Sequence, residues 1–250
     1  MKSKIIFFVL ILLSHFAFSE NKALIEKANS AYTSKKYEEA ADLYKQVLKN
    51  NYESWEVYYN LGNASFKSNE IPSAILNYEK ALKLNPGNDD IVFNLKIANT
   101  KIADKFEQVP VLFYKRWWNN ICNFFSADGW GIVTILFFLF FLVLLSVYFF
   151  SKNIVVRKFS FYTCIVFFLF SLIAFALGFK QYSMLKNESQ AIVFTPTLTV
   201  KGGPGESNSD LFVIHEGTKV RIIDKVNKWY RIQIADGNDG WIPSDKVEII

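Results

Sequence analysis

Cysteine and histidine are scarce in this 250-residue chain, which has two of each and no C-x-x-C pair. That excludes a zinc finger, an iron–sulfur cluster and a disulfide-built scaffold. No nucleophile signature or phosphate-cradling loop occurs either. Gly202, Gly203 and Gly205 around Pro204 do not lead into a helical pattern, so turn chemistry explains them. The acidic residues are scattered over polar helical or turn segments, which leaves no paired-carboxylate site. Charge is missing altogether from Trp130 to Phe150. In excess are apolar and aromatic residues, 51% and 17% of the chain, with 25 Phe and a net charge of +5. Such a chain is too apolar for an ordinary soluble domain, and its basicity raises the question of a nucleic-acid or membrane partner.

The distribution of these residues answers that question. Sixteen of the 25 Phe lie between Val109 and Lys186, and four more lie in the first 19 residues. Residues 109–186 carry seven bases against the single Asp128, whereas residues 20–108 hold 12 basic and 13 acidic residues and residues 187–250 hold seven and nine. The positive charge therefore flanks apolar segments, and no nucleic-acid partner is expected.

Met1-Lys2-Ser3-Lys4, an apolar run from Ile5 to Leu13, and Ala17 and Ser19 ahead of Glu20 have the layout of a secretory signal peptide over residues 1–19. The small residues sit at −3 and −1 of a cleavage site, and the run is short for a span. An uncleaved N-terminal anchor is the rival reading. His15 belongs to this segment.

From about residue 20 to 108 the chain is polar, helical in pattern and repetitive. Ala28 and Asn29 recur as Gly62 and Asn63, Ala40 as Ala74, Tyr44 as Tyr78 and Leu48 as Leu82, always 34 residues apart. That period indicates stacked helical hairpins. The better copy, 55–88, contains Asn60, Gly62, Asn63, Phe66, Ala74, Tyr78, Ala81 and Pro86, and it resembles the tetratricopeptide (TPR) pattern. Gly62 and Ala74 are the small residues expected where the two helices of a hairpin cross. Tyr78 and Ala81 are expected to face the next hairpin, and Pro86 to stop the second helix. The copy at 21–54 is degenerate: Ala28 stands for glycine, Val47 for the second small residue and Tyr52 for proline. A third start at Asp89 has no clear second helix, so we expect two repeats and a capping helix over 89–105. Two repeats are near the minimum for such a stack, which points to help from a partner or neighbouring chain.

A juxtamembrane linker at 109–129 includes Lys115, Arg116, Trp117 and Trp118. It precedes an uncharged segment, 130–150, of 21 residues, enough to cross a hydrocarbon core of about 30 Å. A loop at 151–158 with Lys152, Arg157 and Lys158 leads to a second apolar segment at 159–179. Two transmembrane helices with a cytoplasmic basic loop follow from the positive-inside tendency. Lys115, Arg116, Lys180 and Lys186 on the other flank work against that charge argument, while the export signal agrees with it. Cys122 and Cys164 are expected to be free thiols rather than a redox pair.

Residues 187–250 alternate in short apolar runs: 191–193, 198–200, 218–223, 229–234 and 240–242, separated by turn residues. These are strands of a small all-β barrel. Val200 to Pro204, Glu216-Gly217-Thr218, Lys228 to Ile232 and Asp236 to Ile242 resemble the bacterial SH3-like domain. Gly237 and Gly240 are expected at a tight hairpin turn. His215 reads as an ordinary surface histidine rather than a metal ligand or base, and no metal or cofactor is expected.

Recognition surfaces are the stronger candidates. The first helix of each hairpin lines the groove of such repeats, which would present Ile25, Asn29 and Tyr32, then Tyr59, Asn60, Asn63 and Phe66, then Phe93, Asn94 and Ile97. The asparagines suit a peptide backbone and the aromatic residues suit apolar pockets; the alternative is that some of them pack between repeats. Ile25 and Asp90 occupy positions where some TPR proteins carry carboxylate-binding bases, so a free C-terminus is not the expected ligand. In the SH3-like part, Trp229, Tyr230 and Trp241 could form an aromatic groove for peptide or wall glycan-peptide, the alternative being core packing.

The order of parts resembles the E component of the Bacteroides aerotolerance operon (the BatE-like family). That resemblance implies a multidomain membrane protein of the bacterial inner membrane, with its TPR and SH3-like modules in the periplasm. It also implies partners among membrane-anchored von Willebrand-type proteins and an AAA-type ATPase. The expected role is a non-enzymatic scaffold in an aerotolerance or envelope-stress complex. A peptidoglycan-binding envelope sensor is the alternative.

Overall fold

A computed structural model describes residues 21–105, 112–186 and 189–250. The signal-peptide reading of residues 1–19 lies outside them. The described residues form two compact units, one holding the helical repeats and the C-terminal sheet, the other the long apolar helices.

In the first unit, helix α1 (21–33) is followed by α2 (Tyr37–Lys49), α3 (Trp55–Lys67), α4 (Ile71–Leu84) and α5 (Asp89–Asn99). Side chains start two of them: Ser54 accepts from the Val57 amide ahead of α3, and Asn88 accepts from the amides of Asp90 and Ile91 ahead of α5. Each cap satisfies N–H groups that have no partner inside the helix. The tight turns within the hairpins use left-handed residues one period apart, Lys35 (φ 61) and Asn69 (φ 65). The first repeat lacks proline, and Asn51 (φ 57) ends α2 instead, the role of a C-terminal left-handed residue. The sequence-degenerate copy is therefore regular in structure. Ala28, Ala40, Tyr44, Val47, Val57 and Leu61 share one core across α1, α2 and α3.

The expected capping helix over 89–105 is shorter than that. It ends at Asn99, where the Thr100 hydroxyl donates to Ile97 O (2.7 Å), and residues 100–105 continue without helix.

The sheet has strands β1 (Gln190–Val193), β2 (Thr197–Lys201), β3 (Asp210–His215), β4 (Lys219–Val226), β5 (Trp229–Gln233), β6 (Asp239–Pro243) and β7 (Val247–Ile249), in the spatial order β3-β2-β6-β5-β4-β1-β7 with every pairing antiparallel. Every strand contributes to one core, including Ala191, Val200, Ile214, Val220, Ile232, Ile242 and Val247. The sheet is therefore curled around a single interior, as a small SH3-like domain requires. Strands β3 and β7 were not foreseen; β3 has a solvated Leu211 and Val213 that blur its alternation. Gly237 does take a positive φ (98°) at the β5–β6 turn. Gly240 serves a different purpose from the turn expected of it: a Cβ there would meet Val200 Cγ1 at 2.5 Å, so glycine permits close approach of β2 and β6.

In the second unit, α6 (Phe113–Cys122) precedes α7 (Ala127–Phe150) and α8 (Ile154–Leu185). Both α7 and α8 are long and apolar enough to cross a membrane. They are longer than the expected spans, and the loop shrinks from 151–158 to Ser151, Lys152 and Asn153. The cause is the Asn153 side chain, which caps the amides of Val155 and Val156 and so starts α8 early, with Arg157 and Lys158 inside it. Cys122 and Cys164 are buried and free.

Candidate functional site: the repeat groove and the junction with the sheet

The repeat period has a visible chemical basis in tyrosine–asparagine pairs fifteen residues apart. The Tyr44 hydroxyl donates to Asn29 Oδ1 (2.6 Å), and one period later the Tyr78 hydroxyl donates to Asn63 Oδ1 (2.8 Å). Both tyrosines are almost fully buried, so their hydroxyls need an acceptor. Burial pushes the Tyr44 phenol up to about 12 and holds that of Tyr78 higher still, so both stay protonated donors. The ring of Tyr78 lies against Gly62, where an added Cβ would approach its Cδ1 to 2.7 Å. The residue expected to face the next hairpin thus fills the crossing of its own.

Asn94 on α5 extends this network, donating to Tyr59 Oη and Asn63 Oδ1 (2.9 Å each). Asn29, Asn63 and Asn94 are thereby engaged within the stack. Asn60 stands one period before Asn94, but the position matching Tyr59 is Ile25, which has no hydroxyl. Its half-buried side chain has no hydrogen-bond partner among the described residues. Tyr32, Tyr59 and Phe66 are half-buried, with Tyr32 edge-on to Tyr37. Phe93 is 62% exposed, beside exposed Val92 and Ile97. Helix α5 buries Ile91, Leu95 and Ala98 and leaves this other side uncovered.

The bent segment after α5 meets the β3–β4 turn. Asp104 Oδ2 accepts from the His215 amide (2.7 Å) and the Thr218 hydroxyl (2.6 Å), while Oδ1 lies 2.7 Å from His215 Nδ1. That arrangement assigns the ring proton to Nδ1. Nearby, Lys219 Nζ donates to Glu79 Oε2 (2.7 Å). Between these polar contacts, Gly217 (φ +82) sits against Ile102 and Ile75, and a Cβ on it would meet Ile102 Cγ2 at 2.5 Å. The Asp104 side chain is 10% exposed. Burial alone would raise its pKa, but the hydrogen bonds from Thr218 and His215 outweigh burial and hold it below the ordinary aspartate value. A cleft of about 710 Å³ beside this junction is lined by Asn99, Lys105, Arg221 and Gln233.

Comparison with known families agrees with this division. Residues 25–89 match the tetratricopeptide repeat model, and residues 196–248 match the bacterial SH3 domain model. The chain thus carries a TPR-like and an SH3-like module. No curated protein matches it in sequence. The TPR match covers both hairpins, and the SH3 match begins at the β2 strand and includes the β3–β4 turn that docks on Asp104.

Within the TPR-like module, Ala74 and Ala81 are fully buried and Pro86 follows the end of α4. Within the SH3-like module, Trp229, Tyr230 and Trp241 do not form one surface. Tyr230 packs on the core side, with Ile232. Trp229 and Trp241 alternate to the outer side, where Trp241 stands opposite Arg231, itself bonded to Asp239 (2.7 Å). All three are half-buried. Strand alternation separates them: Trp229 and Tyr230 are adjacent, so they point to opposite faces.

His215 is not an isolated surface group but one wall of the junction. Among the described residues no group of three or more His, Cys, Asp or Glu could hold a metal. Asp104, Glu79 and Lys219 were not singled out from the sequence, and Thr218 was read only as part of the SH3-like pattern. Asp104 and His215 are 111 residues apart, and no local pattern links them.

Proposed function

We propose that this protein is a non-enzymatic membrane scaffold whose TPR-like groove holds a protein partner, as part of an aerotolerance or envelope-stress complex. The observations that support this reading are the uncovered side of α5, Phe93 with Val92 and Ile97, and the unengaged Asn60 amide on helix α3. An apolar anchor together with an unspent donor–acceptor pair suits an extended peptide segment.

The Asp104–His215 contact joins chain preceding α7 to chain following α8. Two membrane crossings, an even number, return the chain to its starting side, which supports both modules sharing one face of the bilayer. The basic residues Lys152, Arg157 and Lys158 between the helices favour the cytoplasm for the opposite face, and with it a periplasmic position for both modules. Von Willebrand-type membrane proteins are the partner class this reading implies.

The test is crosslinking of the full chain in intact membranes. Asn60→Ala combined with Phe93→Ser is expected to lower partner recovery about tenfold while membrane insertion and melting temperature stay as in the native chain. Unchanged recovery would refute the groove.

The alternative, a peptidoglycan sensor, draws on the outward Trp229 and Trp241. The solubilised full chain should then sediment with purified sacculi, and Trp229→Ala and Trp241→Ala should abolish this; no sedimentation rules the sensor out.

A further inference from the structure

Helix α6 has a two-sided surface that the other described residues leave largely exposed. From Leu112 to Asn120 every residue is exposed, with Phe113 at 84% and Trp117 at 65%. At 100° per residue, Phe113, Tyr114, Trp117, Trp118 and Ile121 fall on one side, and Lys115, Arg116, Asn119 and Asn120 on the other. A stripe of four aromatic rings facing water would be an aggregation hazard.

Its fixed contacts lie at one border of the stripe. Lys180 Nζ sits 5.0 Å from the centre of the Trp118 ring, and Cys122 is buried. The Trp130 indole N–H donates to Cys122 O (3.0 Å), and Gln181 Nε2 donates to Asn123 Oδ1 (3.4 Å). These bonds tie α6 to the start of α7 and the end of α8, the end of the helix pair where polar residues replace the apolar run. Tryptophan, tyrosine and basic residues favour that level of a bilayer. Ten residues rise only about 15 Å, too short to cross.

We propose that α6 is an interfacial helix lying in the plane of the bilayer. Its aromatic stripe sits at the boundary of headgroups and acyl chains, and Lys115 and Arg116 engage anionic headgroups. Lipid is the occupant because the stripe runs on into the exposed Phe124 and Phe125 and the exposed apolar surface of α7, and because α6 carries two bases and no acid. The inference rests on α7 and α8 being membrane spans.

The test uses the full chain reconstituted in vesicles of phosphatidylglycerol or phosphatidylcholine. Tryptophan fluorescence is quenched with lipids brominated near the headgroup or at the chain end, for the native protein and for Trp117→Phe/Trp118→Phe, which keeps the stripe apolar. The difference between the two proteins reports the α6 pair. That difference signal should be quenched several-fold more by the shallow bromines than by the deep ones. Lys115→Gln/Arg116→Gln should reduce shallow quenching in phosphatidylglycerol to the level in phosphatidylcholine. A difference signal that neither lipid quenches, in a chain that resists carbonate extraction, would overturn the interfacial helix and leave the spans standing. Release of the chain by carbonate would overturn the spans, and the inference with them.

Discussion

The junction of the TPR-like and SH3-like modules and the pairing of α7 with α8 solve the same problem, joining two pieces of one chain, by opposite means. At the junction two carboxylates, Asp104 and Glu79, take hydrogen bonds from His215, Thr218 and Lys219, with a small apolar contact at Gly217. Between α7 and α8 the contacts are rings: Phe137 with Phe167 and Phe170, Phe141 with Phe168, and Tyr148 with Phe161, centroids 5.2–5.8 Å apart. Among the described residues one side-chain bond crosses that pair, from Ser171 Oγ to Thr134 O (3.2 Å).

On the proposed reading of α7 and α8 as membrane spans, the difference follows from the solvent. Each module has already buried most of its apolar residues in its own core, so what joins them is mainly directional and charge-assisted. In lipid, apolar contact offers no transfer gain, so fit decides. Accordingly α8 buries small residues, Ser160, Cys164, Ser171 and Ala174, and large rings pack around them.

The sharpest way to break the comparison is Asp104→Ala. It leaves the Thr218 hydroxyl and the His215 amide without their acceptor, at an expected cost of about 3 kcal/mol. Differential scanning calorimetry of the solubilised chain should show the melting of the two modules separate into two transitions. A single transition at the native midpoint would mean the polar junction holds nothing together. Next comes Gly217→Ala, which adds a Cβ against Ile102 at a positive φ and should cost about 2 kcal/mol. Ile102→Ala in the same chain should restore part of it in a double-mutant cycle, and no recovery would place the cost in the turn alone.

Acid should loosen the junction and spare the helix pair. Because the Asp104 pKa is lowered on folding, its contribution is complete above the ordinary aspartate value of 3.8 and is lost as pH falls below it through the folded value. Protection of the β3–β4 turn amides against hydrogen exchange, taken relative to the intrinsic rate at each pH, should therefore fall from pH 5 to pH 3. Asp104→Asn should already be weakly protected at pH 5 and change less; native-like acid dependence in that variant would assign the effect to another group. Smallest of all, Ser171→Ala should destabilise the α7–α8 pair by about 0.6 kcal/mol, read by steric trapping in bicelles. A loss several times larger would show that the helix pair, like the junction, depends on polar bonds.

Much of the fold was legible without coordinates because its signals are local. The 34-residue period, the uncharged run from Trp130 to Phe150 and the glycine-punctuated alternation after residue 190 each reflect the needs of one element. The groove was only partly legible. Asn29, Asn63 and Asn94 look like ligand donors in the sequence, yet buried tyrosine hydroxyls and a neighbouring helix engage them. Asn60 is spared because its counterpart position is Ile25. The trio Trp229, Tyr230 and Trp241 failed as a single surface for a reason the sequence does contain, the two-residue alternation of a strand.

The stack of two repeats was expected to need support from outside itself, and part of that support comes from within the chain, through Asp104 and Glu79. By itself the sequence determined the repeat helices, the two long apolar helices and five of the seven strands, with their boundaries roughly placed, since backbone preference and hydropathy act over a few residues. Only the tertiary structure decided that residue 104 meets residue 215, which side chains of α8 face α7, and which asparagines remain unspent. Those outcomes depend on contacts between distant segments, and hydrogen-bond partners become definite only once the packed elements bring them within 3 Å.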